Sequence, residues 1–258
     1  MNASAEPCEL LPWDTRFFGV SIARVRGNIL SATTADSIER WCGDHQIQCL
    51  YFLARPNDSV TVKLAESRGF HLVDVRVSMD QPLDLSSIPS ATTLSSPYRA
   101  ARRDDIPELR RIARLSHTDT RFFFDDRFTV KQCESLYETW IQSSVEGFAQ
   151  AVFVIEQSGR VAGYITCHVS KEAQEGSIGL IAVDASQQGK GLGRQLVAAA
   201  MDWFTARKVP RVSVVTQGRN VAAQRLYARC GFIPRNLELY YHRWFSIAGT
   251  DKDDQPGF

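Results

Sequence analysis

The stretch Val183-Asp184-Ala185-Ser186-Gln187-Gln188-Gly189-Lys190-Gly191-Leu192-Gly193 decides how this chain reads. It follows Ser177 to Val183, which has the composition of a strand. It opens an amphipathic segment, Gly191 to Lys208, with Leu192, Leu196, Val197, Ala200, Trp203 and Phe204 on one helical stripe. A glycine-rich turn at the start of a helix aims several main-chain N–H groups outward, and the helix dipole strengthens their pull on an anion. Such a turn suits a pyrophosphate. The spacing is not G-x-G-x-x-G, no acidic residue ends a second nucleotide-binding strand, and Gly191 follows Lys190 where a P-loop requires Ser or Thr. On these residues alone, an anion cradle and a plain glycine-rich turn stand level.

Outward from this turn the chain alternates strand and helix. Downstream come a strand, Arg211 to Thr216, a helix, Asn220 to Cys230, stopped by Gly231, and a last strand, Phe232 to Phe245. Upstream, Ala151 to Ile155 and Val161 to Val169 form a strand pair about the Gln157-Ser158-Gly159 turn. Asp104-Asp105 caps a helix to Leu115 and Thr129 one to about Val145, with a polar, aromatic loop from His117 to Phe128 between them. Leu83 to Pro97 is rich in Ser, Thr and Pro and reads as a linker. Before it, Leu10 to Val25 reads as extended, Ser31 to Asp44 as a helix and Ile47 to Ala54 as a buried strand. Asn57-Asp58-Ser59 caps a helix to Ser67 with Gly69 as its stop, and Phe70 to Met79 alternates as a strand.

One echo links the two halves. Leu64-Ala65-Glu66-Ser67-Arg68-Gly69-Phe70 matches Leu226-Tyr227-Ala228-Arg229-Cys230-Gly231-Phe232, each a helix end running through x-Gly-Phe into a strand. A duplicated α/β unit with a decayed first copy accounts for it, as does chance over seven positions. The expected organisation is an N-terminal unit at 1–82, a linker at 83–97, a larger domain at 98–245 and a disordered polar tail at 246–258.

Composition excludes several classes. With 30 Lys and Arg against 29 Asp and Glu, the chain lacks the basic excess of nucleic-acid binders. No run of about 18 apolar residues is present, so no membrane span is expected. The start, Met1-Asn2-Ala3-Ser4-Ala5-Glu6-Pro7, has neither region of a signal peptide. The six cysteines are scattered without C-x-x-C pairs, which reads as a reducing, cytoplasmic setting and no metal site.

Two linked motifs carry a family resemblance. Gln188-x-x-Gly191-x-Gly193 resembles the acetyl-CoA pyrophosphate signature of the GNAT superfamily of N-acetyltransferases, and Asn220-x-x-Ala223-x-x-x-Tyr227-x-x-x-Gly231-Phe232 resembles a second motif of the same enzymes. This likeness covers 98–245. Leu11-Pro12-Trp13-Asp14 with Phe17-Phe18-Gly19, Arg121-Phe122, and Tyr137-x-x-Trp140-Ile141-x-x-x-Val145-x-Gly147 look like the TDP-fucosamine acetyltransferase family, over nearly the whole chain.

The resemblance implies an α/β (α+β) fold: a central mixed, mostly antiparallel twisted sheet flanked by helices, preceded by a smaller truncated GNAT-like unit. It implies acetyl-CoA as cofactor and, as acceptor, the amine of a nucleotide-linked amino sugar, and leaves a homodimer open. A peptide or other small-amine acetyltransferase and a non-catalytic acyl-CoA-binding module are the rival readings. Ile181, Ala182 and Val183 would hold the pantetheine arm, with an N–H near Ala182 at the developing oxyanion. Gln188, Gly189, Lys190, Gly191, Leu192 and Gly193 would cradle the pyrophosphate. Asn220 would bond the arm, although a capping role alone explains it. Tyr227 would face the thioester sulfur as general acid, the alternative being a core-capping tyrosine. On the acceptor side, Tyr164 and His168 share one face of their strand with Thr166, and His168 is either a cleft residue or a solvated strand histidine. Arg121, Phe122 and Arg127 would grip a diphosphate and stack a base, or else belong to an aromatic loop packed on the core.

Overall fold

A computed structural model describes residues 6–84, 98–170 and 175–246. The expected linker from 85 on, and the tail from 247 on, lie outside the described residues. The chain divides into two units, Met1–Asp74 with Glu238–Phe258, and Val75–Leu237. The division passes through two long strands instead of the Ser/Thr/Pro-rich segment.

The first unit contains β1 (Cys8–Leu10), α1 (Pro12–Phe18), β2 (Ile22–Val25), α2 (Ala32–Asp44), β3 (Cys49–Ala54), α3 (Ser59–Ser67) and the start of β4 (His71–Pro82). The stretch 10–25, read as extended, is interrupted by α1. Pro12 sits where the first helical N–H needs no partner, and Gly19 closes the helix at φ 73° with its N–H on the Thr15 carbonyl. Short-range turn chemistry overrides the extended look of an aromatic-rich run. β2 pairs in parallel with β3, and β3 pairs antiparallel with the end of β10 (Ile233–Trp244), Leu239 opposite Ala54 through Trp244 opposite Cys49. Ile38, Trp41 and Cys42 of α2 pack with Leu50 and Phe52 of β3, Phe70 and Tyr241 in one apolar cluster.

The second unit contains β5 (Tyr98–Ala100), α4 (Ile106–Ser116), α5 (Arg121–Phe124), α6 (Val130–Ser143), a π turn at Ser144–Phe148, β6 (Ala151–Gln157), β7 (Arg160–Val169), β8 (Gly176–Val183), α7 (Leu192–Ala206), β9 (Arg211–Gln217) and α8 (Val221–Arg229). The loop expected between α4 and α6 thus holds a short helix, and α6 ends at Ser143 before the π turn instead of running to Val145. Thr129 caps α6 reciprocally with Gln132, as its spacing requires. The strand order is β4-β9-β8-β7-β6-β5, antiparallel except for the parallel β8–β9 pair. The stripe of α7 meets Ile165, Cys167 and Ile178 from one face of β7 and β8, with Leu196 and Phe204 fully buried. Each of those two side chains contributes about 2–3 kcal/mol by leaving water. The opposite face of β7, carrying Tyr164, Thr166 and His168, is turned away from this cluster.

Candidate active site

β8 runs for eight residues but pairs with β9 only at Gly176, Ser177 and Ile178, opposite Val212, Ser213 and Val214. From Gly179 onward the two parallel strands separate, and β8 keeps a partner only in β7. Main-chain groups on the β9 side of residues 179–183 are therefore released by the sheet. Which groups these are follows from alternation. The Leu180 N–H donates to Thr166 Oγ1 at 2.8 Å and the Asp184 N–H to the Ala162 carbonyl at 2.8 Å, so even-numbered amides here point toward β7. Ile181 and Val183 present their N–H groups to the open edge. Because strand alternation gives successive amides opposite directions, the Ala182 N–H itself points toward β7, and the edge donors near it are those of Ile181 and Val183.

A bulge fixes this geometry. Ile165 is opposite Ile181 and Cys167 opposite Ile178, so Gly179 and Leu180 together face Thr166. The Thr166 hydroxyl takes up the N–H freed by the extra residue. A Cβ on Gly179 would lie 2.6 Å from His168 Nε2 and 2.8 Å from Thr166 Oγ1, so only glycine admits both side chains against the strand.

At the end of β8, Asp184 anchors the glycine turn. Its carboxylate accepts from Ser186 and pairs with Arg111, and these bonds hold it down at about 2. Gly189 and Gly191 are left-handed, at φ +77° and +78°, with nothing within 4 Å of either missing Cβ. The turn is open to solvent. The first main-chain bond of α7 runs from the Gln195 N–H to the Gly191 carbonyl at 3.2 Å, and no side chain caps the helix. The N–H groups of Gly191, Leu192 and Gly193 thus have no partner among the described residues. Gln188 Nε2 donates to the Val183 carbonyl at 3.2 Å, and Lys190 Nζ to Gln187 Oε1 at 2.8 Å, which holds a cation beside the turn. A Cβ on Gly193 would stand 3.2 Å from Leu226, so α7 and α8 meet where the two motifs lie.

α8 is capped by Asn220, whose Oδ1 accepts the Ala223 N–H at 2.9 Å. Tyr227 is buried, 3% exposed, with its ring 5.6 Å from Phe232 and in the same cluster as Leu192, the first residue of α7. Burial, with a smaller push from Cys230, raises the phenol well above its ordinary value, so it holds its proton.

The acceptor-side candidates separate. Phe122 is 1% exposed, edge-on to Phe128 at 5.4 Å and beneath the Arg121 guanidinium at 3.9 Å, so it belongs to the core and cannot stack on a ligand. The exposed ring of this turn is Phe124, over which the Arg219 guanidinium lies at 4.0 Å, next to Asn220. Arg127 is exposed, and its main-chain N–H donates to Asp125 Oδ1 at 3.2 Å. Tyr164 is fully buried, its hydroxyl 2.8 Å from His117 Nε2, and burial lowers that imidazole to about 4. Tyr164 exposes no surface to a ligand. His168 is half-buried beside Gly179, with the Phe148 ring 5.6 Å away. Periodicity named the face of Thr166 and His168, but choosing Phe124 among three consecutive phenylalanines, or pairing His117 with Tyr164, needed the tertiary structure.

Comparison with known proteins agrees with this geometry. Residues 109–232 match the Acetyltransferase (GNAT) family. The chain is similar to dTDP-fucosamine acetyltransferase of Escherichia coli O6:H1, 28% identical over 94% of this chain and 99% of that one. It is also similar to spore coat polysaccharide biosynthesis protein SpsD of Bacillus subtilis, 31% identical over 52% of this chain and 45% of that protein. Among solved structures, a GCN5-related N-acetyltransferase from Sphaerobacter thermophilus superposes with a TM-score of 0.62 at 18% identity, over 92% of this chain and 76% of that one, a likeness of fold. No helix among the described residues is long and apolar enough to cross a membrane. With strands that part beside an open glycine turn, and with the family match spanning both, this chain carries a GNAT acetyltransferase domain and is an acetyl-transferring enzyme.

Proposed function

We propose that the chain transfers an acetyl group from acetyl-CoA to the amine of a nucleotide-linked amino sugar, by direct attack in a ternary complex. The observation that carries this reading is the meeting of two sets of unpaired main-chain N–H groups, on the open edge of β8 and at the start of α7. The residues present fit acetyl-CoA. The left-handed glycines leave their Cβ positions empty, so a diphosphate can approach the amides of Gly191, Leu192 and Gly193, with Lys190 supplying a positive charge. The strand edge of Ile181 and Val183 can bond an extended amide-bearing arm as a neighbouring strand would.

Acetyl-CoA supplies the activated acetyl thioester. The Ile181 N–H is the donor to the carbonyl oxygen as charge develops on it. Tyr227, kept protonated by burial, gives its proton to the departing sulfur. The wall of Tyr164, His117 and Tyr137 holds the acceptor side rigid, with the His117 and Tyr137 rings stacked at 4.7 Å. The pair of Phe124 and Arg219 takes the base-stacking role expected of Phe122. Similarity to the dTDP-fucosamine enzyme over nearly its whole length supports a dTDP-linked 4-amino sugar as acceptor.

Thermal-shift measurements with acetyl-CoA, dTDP, UDP and a peptide panel, followed by thiol-release assays on nucleotide-linked amino sugars, test the reading. Stabilisation by both acetyl-CoA and dTDP, with thiol release on the 4-amino sugar, supports it. A response to acetyl-CoA and peptides alone points to a peptide acetyltransferase, and a response to acetyl-CoA without turnover to a binding module; either result ends the proposal.

A further inference from the structure

We propose that His168 is the general base that takes the proton from the attacking amine, working through Nε2 over the bulge at Gly179. This rests on the acetyltransferase reading of the β8 edge and adds to it the group that accepts the proton. Three observations place the imidazole there. First, Nε2 is held against the strand carrying the carbonyl-oxygen donor: a methyl at Gly179 would lie 2.6 Å from it. Ile181 is two residues further along β8, about 7 Å by strand rise, a gap that the amine or one water spans. Second, the ring lies on the face of the sheet while the Ile181 N–H points along the open edge, so a nucleophile can approach from the face as the carbonyl is held at the edge. Third, the ring is oriented. Thr166 Oγ1 is 3.5 Å from Nε2 and is itself fixed by the Leu180 N–H at 2.8 Å, and Phe148 flanks the imidazole at 5.6 Å.

Among the described residues, no charged group is hydrogen-bonded or ion-paired to the ring. Thr166 on its own strand, Ser177 and Gly179 on β8, and Phe148 from the π turn surround it. Burial alone lowers its proton affinity, so the imidazole is neutral and able to accept at neutral pH. In the step, the amine nitrogen forms a bond to the thioester carbonyl carbon and its proton passes to Nε2. The carbon–sulfur bond breaks and the sulfur takes the Tyr227 proton. The products are an amide and a free thiol; the imidazolium releases its proton to solvent and the tyrosinate regains one.

Acetyl transfer to the amine of a dTDP-linked 4-amino-4,6-dideoxyhexose and hydrolysis of acetyl-CoA without acceptor are measured in parallel, with an NMR titration of the His168 ring in the free enzyme. His168→Gln is expected to lower kcat for both reactions about 10²-fold, to remove the acidic limb of kcat/KM and to leave the calorimetric Kd for coenzyme A unchanged. In wild type, the ring titrates below 6.5 and at the pKa of that limb, and added imidazole restores turnover to His168→Ala, which a purely structural role would not allow. If His168→Gln keeps both rates within threefold, or the acidic limb persists in the variant, the proposal is overturned. If wild type fails to turn over the amino sugar but its hydrolysis depends on His168, the sugar reading fails and the base stands.

Discussion

The helix end before β4 and the one before β10 are built from the same local code, yet only the second lies against the start of α7 beside the glycine turn. α3 and α8 each have nine residues and each leads into a twelve-residue strand. Asp58 caps α3 through the Thr61 N–H at 2.8 Å; Asn220 caps α8 through the Ala223 N–H at 2.9 Å. The closing bonds also match: the Phe70 N–H to the Ala65 carbonyl at 3.0 Å, and the Phe232 N–H to the Tyr227 carbonyl at 3.0 Å, with Gly69 and Gly231 at φ +75° and +93°. The difference lies in what each unit does with its free groups. Ser31 closes the start of α2 by accepting the Thr34 N–H at 3.1 Å, and β2 pairs with β3 along three of its four residues. In the second unit the start of α7 has no side-chain cap and β8 leaves β9 after three of its eight residues. In these elements the first unit satisfies its own backbone, whereas the second leaves N–H donors open. Ala65 against Tyr227 completes the contrast, since one position lacks a hydroxyl and the other keeps one.

Five variants would break or sharpen this contrast. Tyr227→Phe keeps the ring in its cluster and removes only the hydroxyl. We expect kcat to fall about 10²-fold or more with the Tm and the Kd for acetyl-CoA held. Unchanged turnover would reduce the difference from Ala65 to packing. Gly191→Ala forces a side chain into φ +78° and shifts the amides behind it, so the Kd for acetyl-CoA by calorimetry should rise about tenfold. Gly69→Ala, at φ +75°, should cost about 1 kcal/mol in denaturant unfolding and leave that Kd unmoved. If both variants weaken binding alike, the glycine turn is not the cradle. The smallest effect is in the caps: Asp58→Ala and Asn220→Ala should each lower unfolding free energy by about 1 kcal/mol. Only Asn220→Ala should also weaken acetyl-CoA binding, and equal Kd values in the two variants would confine Asn220 to capping.

Much of the fold was legible because it is encoded over short distances. Caps at Asp58, Thr129 and Asn220, the stripe of α7 and the alternation along β7 depend on residues two to four apart, and a single sequence displays those spacings directly. The glycine turn could be located for the same reason, since glycine at positive φ is a local requirement. Misreadings arose where local signals compete: aromatic residues from Leu10 to Val25 look extended, yet Pro12 and Gly19 bracket a helix.

What the sequence by itself determined, then, is the order of the longer helices and strands, the two linked motifs and the position of the tyrosine. Tertiary structure alone decided where β8 parts from β9, which of its amides face the gap, that Phe122 is buried while Phe124 is exposed, and that His168 rests on Gly179. These features depend on pairing between strands and packing between faces distant in the chain. No pattern of neighbouring residues records which partner a backbone amide fails to find.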